Sequence, residues 1–195
     1  MKLVRVVALA AGLTAGAVVG PVLGETRVVD RVVAVIDDVP IFASSLRERA
    51  APRQKRLEAS VEDPVQLETA RAGMIRDLLD QMIDEALMER AAAKENIVVA
   101  SDELDAAMKQ VAAQNKWTVA QLLTQLESDG FSEALYRVEL RATLLEQKLV
   151  RLRLSRQQTQ RTSEMSPEDY ARQATLARGA MLAELRETTF VEVRL

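Results

Sequence analysis

The sequence of 195 residues contains neither histidine nor cysteine. Without them there is no imidazole general acid or base, no Ser-His-Asp or Cys-His nucleophile, and no zinc site of the usual His/Cys type. Disulfides and cysteine-linked lipid anchors are excluded too, so an exported form must be stable from packing alone. Aromatic residues make up 3% of the chain, and 26 Lys and Arg face 29 Asp and Glu with no basic run. That balance lacks the electrostatic footprint of a nucleic-acid binder. Carboxylates and lysines remain, but their spacing marks no catalytic or cofactor site. No cofactor, metal or small-molecule substrate is therefore expected.

The first feature present is an N-terminal targeting segment. Lys2 and Arg5 precede an uncharged stretch from Val6 to Leu23, rich in Ala, Val and Gly, which closes on small residues at Gly24. This is the pattern of a secretory signal peptide, residues 1–24, cut before Glu25. The stretch is just long enough to span a bilayer, which leaves a retained anchor as the alternative, but Gly12, Gly16, Gly20 and Pro21 make it a poor membrane helix. Residues 1–24 carry two basic and no acidic side chains, so their removal makes the remainder more acidic.

The remainder is one domain's worth of chain. Residues 27–36, R-V-V-D-R-V-V-A-V-I, then Asp37-Asp38 and Val39-Pro40-Ile41-Phe42, predict a strand, a tight turn and a second strand. The turn has no glycine, so nothing local sets its register. Ser44 or Ser45 is expected to cap a helix to about Leu57, ended by Glu62-Asp63-Pro64. Apolar pairs at Met74-Ile75, Leu78-Leu79, Met82-Ile83 and Ala86-Leu87 recur every four residues, which lines them up only on a helix. This helix runs to about Lys94, and its broad stripe predicts packing on more than one side.

Ile97-Val98-Val99 reads as an extended link, and Ser101-Asp102-Glu103 as the start of a helix with Leu104, Met108 and Val111 inward. Thr118 and Gln121 have the form of a capping box, and Asp129-Gly130 that of a helix stop. Phe131 and Tyr136 flank Ser132 at the spacing of a hydrophobic staple, opening a helix that shows Leu135, Val138, Ala142, Leu145, Leu149 and Leu152 through about Leu154. Residues 155–166 are polar and read as a linker. Ser166-Pro167-Glu168-Asp169 begins a last helix presenting Tyr170, Ala174, Ala177, Met181 and Leu185. Val191, Val193 and Leu195 alternate with Glu192 and Arg194 as a terminal strand. The expected architecture is mainly α, with a small sheet formed by the N-terminal hairpin and the C-terminal strand. Residues 25–154 form the helical domain, and residues 167–195 pack back on it across the linker.

Several segments together resemble the SurA-like periplasmic chaperones, the SurA N-terminal domain family. They are Val29 to Ile36, Leu79 to Leu87, Val99 to Ala107, Ala112 to Asn115, Gly130-Phe131 and Tyr136-Arg137, and they cover the chain from about Val29 to Leu154. The closing helix and strand, Glu184 to Val193, look like the end of that family's chains. The resemblance implies a SurA N-domain-like fold, a periplasmic location and ATP-independent binding of unfolded or nascent outer-membrane proteins. Relatives commonly insert parvulin-type prolyl isomerase domains between the helical region and the closing helix, where this chain has only residues 155–166. Parvulin sites resemble one another in using histidines, so isomerase activity is disfavoured twice, and no enzyme is expected.

A chaperone of this kind needs adaptable apolar surface and little electrostatic selectivity. Met82, Met108, Trp117, Leu122, Leu126, Phe131 and Tyr136 are the candidate client contacts, although methionine at helical spacing is usually core. Strand addition at a sheet edge is a second route, against which Pro40, Asp30, Arg31, Glu192 and Arg194 read as edge protection. Asp80, Asp84 and Glu85 read as a solvated charged face. An envelope assembly adaptor with one fixed partner is the alternative function. Exchange of the C-terminal helix between two copies would give a homodimer.

Overall fold

A computed structural model describes residues 30–158 and 166–194. The expected signal peptide, residues 159–165 of the expected linker, and Leu195 lie outside the described residues. The elements in chain order are β1 (Val32–Ile36), β2 (Val39–Phe42), α1 (Ala43–Ser60), α2 (Pro64–Lys94), α3 (Ser101–Gln114), α4 (Val119–Ser128), α5 (Glu133–Gln158), α6 (Pro167–Thr188) and β3 (Val191–Val193). Among the described residues no helix is long and apolar enough to cross a membrane.

The broad stripe of α2 is buried on two sides. Leu78, Leu79, Met82, Ile83 and Leu87 join Val33, Ala34, Ile36 and Ile41 of the hairpin and Leu46 and Ala50 of α1 in one core. Met88 and Ala92, one turn further on, join Leu145, Leu149, Val150 and Leu154 of α5 and Ala177, Met181 and Leu182 of α6 in a second. Leu185 packs against both. Each fully buried aliphatic side chain is worth roughly 1.5–3 kcal/mol, so this helix carries the largest share of the apolar stabilisation.

The sheet has the order β2-β1-β3, antiparallel throughout, so the C-terminal strand pairs with the first strand of the hairpin as expected. The hairpin register is Ala34 to Ile41, Val35 to Pro40 and Ile36 to Val39, with an irregularity between Val32 and Ala34. Asp37 takes the left-handed conformation, φ 51°, that the glycine-free turn requires; Asp tolerates it better than most residues because its short side chain bonds locally. Here that side chain also closes the sheet. Asp37 Oδ1 accepts the Phe190 amide at 2.9 Å, its own amide donates to the Phe190 carbonyl at 2.8 Å, and Oδ2 pairs with Arg90 of α2 at 2.5 Å.

Most helix ends follow the local signals. Asp63 caps α2 ahead of Pro64, Thr118 and Gln121 form the box on α4, and Ser166 caps α6 ahead of Pro167. Gly130, φ 88°, ends the α4 turn. Two expectations, at the start of α1 and the end of α5, need correction. The N-cap of α1 is Phe42, not Ser44 or Ser45; Asp30 reaches the helix start from before β1 and accepts both the Ser44 amide and its hydroxyl. Helix α3 starts at Ser101 with Asp102 and Glu103 in its first turn, as expected; the residue before it, Ala100, has no side-chain acceptor, so only the reciprocal half of a box exists, Glu103 Oε2 taking the Ala100 amide at 2.9 Å. And α5 continues through Gln158, past the expected linker start, with Leu154 buried and Arg156 paired to Glu95 by two bonds of 2.9 and 2.7 Å.

Replacing Asp37 by Ala is expected to destabilise the fold by about 2 kcal/mol, the scale of a lost hydrogen bond to a charged acceptor. Asp37→Asn, which keeps the acceptor for Phe190 and tolerates the turn, should lose less. Urea unfolding followed by circular dichroism measures both; equal losses would show that Arg90 pairing, not the Phe190 contact, carries the effect.

Candidate functional site

Helices α3 and α4 pack on each other and on the first half of α5, outside the two main cores. The tip of α4 rests on α1: Lys55 Nζ donates to the Ser128 carbonyl at 3.0 Å, and the Arg56 guanidinium lies 5.7 Å from the centre of the Phe131 ring. A groove opens between β2 and α1 on one side and α2 and α5 on the other.

This groove consists of two adjoining concavities of about 230 and 460 Å³ that share Ile41, Arg49, Met82, Glu89 and Val138. Pro40, Phe42 and Leu135 extend the apolar wall at one end, Ala142 and Leu145 at the other. At its lip Phe42 is 39% exposed and Val138 is 50% exposed. Charges of both signs, Glu48, Glu89 and Arg141, stand around it, Arg141 paired with Glu89 at 3.7 Å. A separate cleft of about 540 Å³ lies between α2, α5 and α6 over Leu149, Leu152, Met181 and Leu185. Its rim is tied down by the Arg153–Glu184 and Arg156–Glu95 pairs, at 2.8 and 2.7 Å.

The seven candidate contact residues do not share one surface. Met82 is buried in the floor of the β2–α5 groove. Met108 and Leu122 are buried on α3 and α4, with their side chains committed to packing. Leu126, Phe131 and Tyr136 are half-buried around the α4–α5 corner, Phe131 beneath Arg56. Trp117, 39% exposed, stands alone at the α3–α4 corner, where Lys116 takes φ 59° and the Trp117 amide donates back to the Ala112 carbonyl at 2.8 Å. Tyr170, expected inward on α6, is 39% exposed beside Val150 and Ala174 at the mouth of a small α5–α6 cleft. The groove residues Ile41, Phe42, Leu135 and Val138 come from elements nearly a hundred positions apart. Periodicity marked Leu135 and Val138 as an inward stripe, and nothing local distinguishes the part of it that α2 leaves uncovered.

Of the acidic cluster on α2, Asp80 is exposed as expected, but Asp84 and Glu85 are not a solvated face. Asp84 accepts from Arg186 of α6 at 2.6 Å, and Glu85 pairs with Arg49 of α1 while accepting from Gln81 at 2.8 Å. Both of the partners that carry these pairs are distant in sequence. Glu139 of α5 completes the polar layer under the groove. Burial pushes its carboxyl above the usual carboxylate range, against the opposing pull of Arg53 and Arg49, and its Oε1 is buried without a hydrogen-bond partner among the described residues. Desolvation together with Glu139 raises the neighbouring Tyr136 as well.

Residues 29–153 match the SurA N-terminal domain family. Among similar proteins, the Chaperone SurA of Cupriavidus metallidurans is 30% identical over 128 residues, 66% of this chain and 24% of that protein. The Chaperone SurA of Ralstonia nicotianae is 32% identical over 129 residues, 66% of this chain and 24% of that protein. That of Alkalilimnicola ehrlichii is 30% identical over 139 residues, 71% of this chain and 31% of that protein. The chain thus spans about a quarter of the length of the relatives it matches.

Because the native state raises the Glu139 pKa, it binds that proton more tightly than the unfolded chain does. The stability linked to the protonated form is complete below the ordinary carboxylate range and is lost as pH rises through the raised value. Glu139→Gln, which removes the ionisation, is therefore expected to raise the thermal midpoint at pH 7, with the advantage over the parent shrinking toward pH 4. Melting curves across that range test it; a constant difference at all pH values would assign the effect to packing.

Proposed function

The chain belongs to the SurA N-terminal domain family, and from that premise we propose that it is a periplasmic, ATP-independent holdase that shields unfolded exported or outer-membrane proteins. The observation that carries this reading is the β2–α5 groove, an apolar trough with Phe42 and Val138 exposed at its lip and charges of both signs around it. Apolar side chains left in water on a folded domain are a standing cost unless a partner covers them, and a mixed rim accepts many sequences while favouring none.

Met82 suits the floor of such a trough. It is the one residue of the sequence-based set that lines it, and an unbranched thioether can repack around side chains of different shape. Burial by a guest of only a few apolar groups gives weak, reversible binding, so release needs no nucleotide. The chain itself performs no chemistry on the guest: with no histidine it has none of the imidazoles that parvulin sites resemble one another in using. Residues 159–166 are all that separates α5 from α6, so no isomerase domain stands between them.

Added at near-stoichiometric ratio without ATP, the protein is expected to suppress light scattering by a refolding outer-membrane β-barrel protein. Val138→Glu, at an already exposed position, and Phe42→Ser should each weaken client binding about tenfold, the effect of losing some 1.4 kcal/mol of apolar contact. Unchanged scattering with the parent protein would refute the holdase reading. A pull-down that returned one stoichiometric complex instead of a spread of clients would replace it with that of an envelope assembly adaptor.

A further inference from the structure

The two edges of the sheet are chemically unlike. On β2, the Ala34–Ile41 and Ile36–Val39 pairs direct the backbone groups of Val39 and Ile41 to β1, which leaves Pro40 and Phe42 facing outward. Pro40 has no N–H, so this edge cannot continue a ladder. On β3, Phe190 and Arg194 bond toward β1, through Asp37 N to Phe190 O and Arg194 N to Val33 O, both at 2.8 Å, and Glu192 lies opposite Val35 between them. Strand alternation then turns both the N–H and the C=O of Val191 and of Val193 outward. Neither proline nor bulge interrupts this edge, and β1 is the element of the described residues packed broadly against β3.

The side chains on β3 do not defend it either. Glu192 and Arg194 pair with each other at 2.7 Å, so they offer an approaching chain no net charge. Phe190 is 60% exposed and Val193 50% exposed, on opposite faces of the strand by its two-residue period, where they would flank an added strand above and below. We propose that β3 is a docking edge for an extended segment of unfolded polypeptide, which adds as a fourth strand through the outward backbone groups of Val191 and Val193. This deepens the holdase reading and rests on it. A flexible segment fits better than a second folded copy: an edge of three residues joined to its own image buries far less than the roughly 1,000 Å² that a stable interface requires, whereas a free chain can follow the edge and close over Phe190 and Val193. Backbone pairing is blind to sequence, as a general chaperone needs.

The experiment uses the full chain and a fluorescent synthetic peptide of alternating Val and Thr in three forms: unmodified, N-methylated at every second amide, and N-methylated at every amide. The half-methylated form keeps one free edge and is expected to bind within about threefold of the unmodified peptide; the fully methylated form should bind at least about tenfold more weakly. Val193→Pro removes one outward N–H while leaving the inward bonds at Phe190, Glu192 and Arg194, and should weaken the unmodified peptide at least about fivefold with its circular dichroism melt preserved. If that variant fails to fold, the peptide series still decides. Equal binding of all three peptides, with scattering still suppressed, overturns the edge and leaves the holdase reading standing. Absence of both peptide binding and suppression overturns both. A dimer in sedimentation that Val193→Pro converts to monomer would assign the edge to a second copy and overturn the inference.

Discussion

The placement of α2 between two apolar cores governs everything else in this molecule. A helix buried on one side would leave the hairpin and α1 as one unit and α5 with α6 as another. Because Leu79, Met82 and Ile83 look toward the sheet while Met88 and Ala92 look toward α6, neither unit can shift without disturbing the other. Leu185 bridges the two cores from α6, and Arg186 of the same helix fastens to Asp84 of α2. The C-terminal helix is thereby held by packing and by charge, and it delivers β3 to β1.

The groove follows from the same constraint. Helix α5 packs against α2, against α6 and against the α3–α4 pair. The gap beside α2 and α5 is floored by Met82 and Ala86. The polar layer beneath, in which Arg49 pairs with Glu85 and Arg53 donates to Gln81 at 3.0 Å, spaces α1 from α2 with groups that need partners.

Features set by neighbours in sequence were legible before any coordinates. The cap at Thr118 and Gln121, the Ser166-Pro167 start, the stop at Gly130 and the four-residue repeat of α2 all depend on residues within one helical turn of one another. The closure of the sheet by the C-terminal strand was legible too, since isolated hairpins are marginal and the chain has few other places to pair. What escaped depends on long-range partners. Asp30 caps a helix 14 positions away, Arg186 reaches Asp84 across 102, and no local pattern reveals either. The candidate contact residues were chosen by apolar character, which is equally the signature of core. Met108 and Leu122 went to the interior, while Val138, on the same helix face pattern as buried Leu145, stayed at the surface.

The bond between Asp37 and Phe190 spans 153 positions. Contacts this remote in sequence form late, because a long loop must be closed before they give any return. The helices can gather locally within their own hairpins, but β1 has only β2 beside it until the final strand arrives from the other end of the chain. During that interval the side of β1 that β3 will cover has no strand against it. Until that seam closes, the newly made chain is itself an unpaired strand in need of company.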